Sequence, residues 1–209
     1  MSLDGRVALA NGQSQWLTGE AARADVQQER ARASAILVGI GTVLADNPRL
    51  APRLEVASQR YPVKIVLDTH LRTPPDAALF STPGAVWICH YPDAPSATQE
   101  ALRAAGAELL SCRGTGGELD WQEVMTMLAQ RELNDILVEA GPGIAASLFT
   151  ANLVDEWLLY VAPLLLGQDA RPVLATGPYA NLADVPRWSV INITQLGDDI
   201  KWTLRPQER

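Results

Sequence analysis

A chain of 209 residues, 47% apolar and 20% charged, has the length and balance of one ordinary globular domain, with a core that needs neither metal nor disulfide. Its net charge of −7 argues against a nucleic-acid partner, and no apolar run approaches the roughly 18 residues that cross a bilayer. The charge is uneven: residues 1–75 hold 9 Lys or Arg against 7 Asp or Glu, while residues 76–209 hold 8 against 17, so the first third holds an anionic ligand more easily.

The start, MSLDGRVALANG, lacks the basic and then apolar regions of a signal peptide, so a cytoplasmic protein is expected. Turns at Asp4-Gly5 and Asn11-Gly12 punctuate residues 1–17. Thr18 caps a helix predicted to run to about Arg32, with Glu20 in its first turn. Residues 35–39 read as a short apolar strand. One or two helical turns follow over 41–46, stopped by Asn47-Pro48. After a loop over 49–62, strands are expected at 63–68 and 85–90. Ser96 with Gln99 reads as a capping box for a helix to about Ala105. A strand at 108–112 and a polar loop at 113–117 follow. Asp120 with Glu123 opens a second helix to about Glu132. The pattern closes with a strand at 135–139, a helix at 142–151, a long strand at 156–166, and an antiparallel hairpin from 187–196 and 199–205 about Gly197-Asp198.

Strands alternating with helices imply a mainly parallel sheet covered on both faces, and the closing hairpin is expected to make that sheet mixed. With no linker between two cores and no repeat, residues 1–209 read as a single α/β domain. Ligands of such sheets bind beyond the carboxyl ends of the strands, which here are Gly39, Asp68, His90, Cys112 and Glu139. Cys89 and Cys112 lie in apolar runs and read as buried thiols; with two scattered histidines they make no zinc pattern.

The run VGIGTVLADNP lacks the third glycine of a dinucleotide fingerprint, because Leu44 stands there. Its two glycines still leave backbone N–H groups uncovered, suiting either a phosphate or a tight turn. In ILVEAGPGIAASLF, Glu139 ends an apolar strand and Gly141-Pro142-Gly143 opens a helix of small residues. The turn suits an extended ligand or close helix–sheet packing; the carboxylate is a solvated strand end or an acceptor for ligand donors. Arg30 and Arg53 have the fork that suits phosphate, with Arg23, Arg32, Arg49 and Arg60 as competitors. Trp16, in the loop Ser14-Gln15-Trp16, is a stacking face or a packing anchor. No nucleophile elbow or metal-ligand cluster is present.

Taken in order, SLDGRVA, SQWLTG, ILVGIGTVLADNPRL, IVLD, LVEAGP and LVDEWLLYVAPLLLG resemble the reductase domain of bacterial riboflavin biosynthesis over about residues 2–205. That resemblance implies a three-layer fold similar to dihydrofolate reductase: a mainly parallel central sheet with a C-terminal antiparallel hairpin. It implies reduction of 5-amino-6-(5-phosphoribosylamino)uracil by NADPH, and a homodimer, with the apolar strand and the hairpin as candidate interface. By the same resemblance Ser14, Arg30, Leu50, Arg53 and Glu139 are substrate positions, with Arg53 toward the phosphate. Trp16, Thr42, Asp46, Thr69, Gly141, Pro142, Gly143, Ile144, Ala145, Ala146 and Ser147 are cofactor positions, and Glu139 and Asp46 are candidates for moving a proton. The family's first strand, which precedes S-L-D-G, and its zinc deaminase half are missing from these residues, so deaminase activity is expected from elsewhere. A truncated domain that binds nucleotide or assembles without catalysis, and a reductase of another pyrimidine or pteridine, are the alternatives.

Overall fold

The computed structural model describes residues 1–53 and 60–207, so residues 54–59 of the loop expected over 49–62 lie outside the described residues. In chain order the elements are β1 (Arg6–Ala8), α1 (Glu20–Arg32), β2 (Ala35–Gly39), α2 (Ile40–Asp46), β3 (Val63–Leu67), β4 (Val86–His90), α3 (Ser96–Ala104), β5 (Ala107–Ser111), β6 (Gly114–Thr115), β7 (Glu118–Leu119), α4 (Trp121–Ala129), β8 (Ile136–Val138), α5 (Pro142–Thr150), β9 (Trp157–Val161), β10 (Arg171–Pro172), β11 (Trp188–Leu196) and β12 (Asp199–Pro206). Short 3-10 turns lie at Ala78–Ser81 and Leu182–Asp184. The chain forms two compact units, one of residues 27–141 and one of residues 1–26 with residues 142–209.

The first unit is built on a parallel sheet of order β5-β4-β3-β2-β8. All five residues of β2 are buried, as a strand covered on both faces requires. Its alternate side chains divide between two cores. Ile36 and Val38 join Val66, Ile88, Val43 of α2 and Leu102 of α3. Ala35 and Leu37 join Ile65, Cys89, and Val124 and Leu128 of α4. Each such aliphatic side chain, fully buried, contributes about 1.5–3 kcal/mol.

Local chemistry sets the ends of the helices. α2 stops at Asn47, whose left-handed backbone (φ 42°) is one Asn tolerates, and whose side-chain oxygen accepts from the Ala78 N–H at 2.7 Å. Asp120 caps α4 by accepting from the N–H groups of Gln122 and Glu123. The Ser96–Gln99 capping box does not form. Pro95 takes the cap position, and the Gln99 amide donates to the Ala94 carbonyl instead. Residues 113–117 are not an irregular loop either: β6 and β7 pair as a small ribbon turned at Gly116 and Gly117, both at positive φ.

Lys64, the second residue of β3, is fully buried. Its ammonium donates to the Leu79 carbonyl (2.5 Å), the Thr82 carbonyl (2.7 Å) and the Thr82 hydroxyl (2.9 Å), so all three protons are used. Burial lowers its pKa from 10.5 to about 8.

The second unit carries an antiparallel sheet of order β11-β12-β9 and a small pair, β1 with β10. The closing hairpin is as expected, but it pairs with β9 and does not extend the parallel sheet. β9 ends at Val161, short of the expected Leu166, because Ala162-Pro163 leads into a segment tied to the N-terminal turn. In that turn the Ser2 hydroxyl donates to Asp4, whose carboxylate accepts from the N–H groups of Leu166 and Gly167. The hydroxyl bond, first, and those backbone bonds lower the Asp4 pKa from 3.8 to about 2. Gly5 supplies the positive φ (73°) that closes the turn, so the S-L-D-G signature is a structural clasp. Phe149, Trp157 and Trp188 form a cluster with ring centroids 4.9–6.0 Å apart. Asp25 accepts from Lys201 (2.6 Å) and from the Tyr160 hydroxyl (2.5 Å), and Asp199 accepts from the Gly19 N–H.

Candidate active site

The exits of the parallel strands separate structural polar groups from available ones. Asp68, past β3, is wholly buried; one oxygen accepts from both the Thr73 N–H (2.7 Å) and hydroxyl (2.8 Å). It fixes its own loop. His90, at the end of β4, is buried with Nδ1 2.7 Å from the Tyr91 carbonyl, and Cys112 is buried past β5. A depression of about 440 Å³ past β4 and β5 is lined by Tyr91, Arg113 and Gly114. It includes no residue named by the resemblance, and Arg113 there is paired with Glu123.

Glu139 is different. Its backbone N–H donates to Leu37, continuing the β2–β8 ladder by one bond, and the carboxylate then leaves the sheet. Arg30, in the last turn of α1, grips it: Nε donates to Oε1 at 2.7 Å and Nη2 to Oε2 at 2.5 Å. The two side chains are 17% and 24% exposed, so the fork is shielded yet still reaches solvent. The Glu139 hydrogen bonds raise the Arg30 pKa above its usual value. These two residues lie 109 positions apart, and their contact could not be read from either local sequence.

The other expected positions of this unit are distributed as follows. Thr42 (half-buried) and Asp46 (exposed) stand four residues apart on α2, hence on one face. Leu50 has a left-handed backbone (φ 49°) and is buried, its side chain packed in the core of the parallel sheet. Arg53 is exposed, its N–H donating to the Gln27 side chain at 3.0 Å. Thr69 is nearly buried, its carbonyl accepting from the Tyr91 N–H. Gly141 is exposed.

In the second unit Ser14 is exposed and Trp16 is 69% exposed, with the Arg23 guanidinium 4.8 Å from its ring centroid. Pro142 is the first residue of α5, where its missing N–H costs nothing. Gly143 beside it is exposed, and Ile144, Ala145, Ala146 and Ser147 are half-buried along the same helix.

The glycines test the choice between packing and ligand. A Cβ placed on Gly41, Gly141 or Gly143 meets no atom within 4 Å among the described residues, and none of the three has a positive φ. Neither a turn nor close helix–sheet packing therefore demands glycine at these positions. At Gly114, by contrast, a Cβ would lie 2.1 Å from the Glu118 carbonyl. Bare backbone at 41 and 141 in the first unit, and separately at 143 in the first turn of α5 in the second, leaves room beside N–H donors, which suits a phosphate group. Among the described residues no cluster of three or more His, Cys, Asp or Glu is arranged to hold a metal.

Comparison with known proteins converges on one family. Residues 1–202 match the model of the RibD C-terminal domain. The riboflavin biosynthesis protein RibD of Haemophilus influenzae is 37% identical over 226 residues, 99% of this chain and 57% of that protein. The Acinetobacter baumannii RibD structure superposes with a TM-score of 0.85 at 32% identity, covering 99% of this chain and 55% of that one. This chain thus spans little more than half the length of either. A 5-amino-6-(5-phosphoribosylamino)uracil reductase from Buchnera aphidicola is 26% identical over 211 residues, 96% of this chain and the whole of that protein.

Proposed function

The chain belongs to the RibD C-terminal domain family, and on that footing we propose that it is the reductase of riboflavin biosynthesis, using NADPH to convert 5-amino-6-(5-phosphoribosylamino)uracil to its 5-phosphoribitylamino product. The observation that carries this reading is Glu139, a carboxylate held by Arg30 at the exit of an apolar strand and followed at once by glycines that packing does not require.

When bound, the nicotinamide supplies a hydride to C1′ of the ring-opened sugar. The protein's task is mainly to hold donor and acceptor carbons in register and to keep water out. Glu139 accepts hydrogen bonds from substrate N–H or O–H groups. Arg53 meets the ribose phosphate, Ser14 adds a hydroxyl, and Leu50 belongs to the substrate side. The N–H groups from Gly143 onward, in the segment Gly141–Ser147, receive the cofactor's pyrophosphate at the positive end of α5. Trp16 offers a flat face, and Thr42, Asp46 and Thr69 complete the cofactor side. Asp46, exposed on α2, is the second carboxylate able to exchange a proton with solvent.

The domain works in the cytoplasm with a deaminase supplied from outside these residues, and as a homodimer. The dimer surface has support in the hairpin, where Val190, Ile191 and Ile193 of β11 and Trp202 of β12 are exposed apolar side chains next to an edge strand.

The test is cofactor oxidation by this chain with the phosphoribosylaminouracil, with NADPH and NADH compared. Substrate-dependent oxidation that favours NADPH is expected. A folded chain that binds neither nucleotide contradicts the proposal.

A further inference from the structure

Two left-handed residues, Asn47 (φ 42°) and Leu50 (φ 49°), shape the chain between α2 and Arg53. Asn tolerates that backbone; Leu has no polar side chain to compensate for it, so its surroundings must hold it there. The holding contacts come from the 3-10 turn at Ala78–Ser81 and from Thr82, which follows it. The Ala78 N–H donates to the Asn47 side-chain oxygen at 2.7 Å. The Thr82 hydroxyl lies 2.9 Å from the Arg49 carbonyl oxygen and 3.4 Å from that of Leu79. The Arg49 carbonyl and the Leu50 N–H share one peptide plane, so a bond to the first orients the backbone entering Leu50. Lys64 decides which way the hydroxyl points. An ammonium only donates, so Nζ, 2.9 Å from Thr82 Oγ1, makes that oxygen an acceptor. The one hydroxyl proton is left for a carbonyl, and Arg49 is the nearer. The same ammonium donates to the Leu79 and Thr82 carbonyls, which fixes the turn to β3. A polar line therefore runs from β3 through Thr82 to Arg49, and Leu50 and Leu79 share the core beneath it.

We propose, resting on the reductase reading above, that Lys64 and Thr82 are positioning residues for the substrate: through the Arg49 carbonyl they hold residues 47–53 in the shape that presents Arg53 to the ribose phosphate. Lys64 acts at a distance, since it is wholly buried and all three of its protons are engaged. Thr82 is bonded on both sides, accepting from Lys64 and donating to Arg49. The far end of the segment is tied separately, by the Arg53 N–H on the Gln27 side chain at 3.0 Å. That leaves the exposed Arg53 guanidinium as the part offered to a ligand, and its fork suits a phosphate monoester. None of these bonds involves residues 141–147, so the relay serves the substrate and not the cofactor turn.

Substitutions at Thr82 on the intact chain test this. Thr82→Val keeps the shape of the side chain, removes the acceptor for Lys64 and removes the donor to Arg49. Substrate KM, kcat and NADPH Kd are measured for Thr82→Val, Thr82→Ser, Arg53→Ala and the Thr82→Val/Arg53→Ala double variant. Thr82→Val should raise the substrate KM about fivefold, the size of one net hydrogen bond, with kcat and NADPH Kd within about twofold of the parent. Thr82→Ser, which keeps the hydroxyl, should restore KM to within about twofold. On the Arg53→Ala background Thr82→Val should add less than about twofold, because the relay acts through Arg53. An unchanged KM in a folded Thr82→Val protein overturns the proposal. An equal loss of NADPH affinity, or a full penalty retained on the Arg53→Ala background, does the same. Should Thr82→Val not fold, Thr82→Ala replaces it, with the same outcomes. A folded parent chain with no reductase turnover overturns the reductase reading and this one together, whereas normal parent turnover with an unchanged KM in Thr82→Val overturns this one alone.

Discussion

Replacing Gly143 by Ala separates what the fold needs from what the ligand needs. The backbone at 143 is not at positive φ, and a Cβ there meets nothing within 4 Å among the described residues. The position lies in the first turn of α5. Ala is favoured over Gly within a helix by about 0.5–1 kcal/mol, so the substitution should stabilise the protein by roughly the lower figure. For a chain of this size that is a rise of about 1–2 °C in Tm. On the proposed assignment of this turn to the cofactor, the same methyl group enters the space through which a pyrophosphate approaches the N–H groups of α5. A loss of about 1.4 kcal/mol or more in NADPH binding, at least tenfold in Kd, is expected. Calorimetric unfolding and NADPH titration on one preparation read both quantities. Gly114→Ala is the opposite control: its Cβ would sit 2.1 Å from the Glu118 carbonyl, costing about 1–3 kcal/mol of stability and sparing the cofactor. A stabilised Gly143→Ala protein with unchanged NADPH affinity would refute the assignment of this turn to the cofactor.

Three further outcomes follow from named contacts. Arg53→Ala should weaken the substrate at least tenfold while NADPH affinity stays near the parent's; equal loss of both in parallel titrations removes Arg53 from the substrate phosphate. Lys64 holds fewer protons folded than unfolded between about pH 8 and pH 10.5, so its contribution to stability rises with pH over that window. The deficit of Lys64→Met against the parent, read from urea midpoints, should therefore widen as pH rises through it, and a constant deficit contradicts the burial argument. Asp4, with its pKa lowered to about 2 from 3.8, contributes fully above pH 4 or so and loses that contribution as pH falls toward 2. Asp4→Asn should flatten that part of the acid-unfolding curve; an unchanged acid limb argues against the clasp at Leu166 and Gly167.

The parallel strands were legible because each is a short apolar run bounded by turn residues, and 35–39 has the ends the hydrophobic pattern implies. The closing hairpin was legible from alternation about Gly197, but its partner was not, since nothing local says that β12 lies beside β9. Ser96 misled because Pro95, with its fixed φ, already suits the cap position and Gln99 finds a nearer acceptor in Ala94. Of the site, Glu139 and the glycines stood out by their chemistry, a charge and bare backbone where burial was expected. The Arg30–Glu139 fork, the Lys64 staple and the Asp25–Lys201–Tyr160 group did not, because each joins segments distant in the chain. The resemblance implies Leu50 as a substrate position; in the fold its side chain is buried in the core.

Hydride transfer itself is the most direct measurement. The chain is incubated with 5-amino-6-(5-phosphoribosylamino)uracil and NADPH deuterated at nicotinamide C4, and the product is read by mass spectrometry and NMR. One deuterium on C1′ of a ribityl side chain is the predicted result. Oxidised cofactor with no deuterium at that carbon, or no turnover by a folded chain that binds both ligands, would contradict the account.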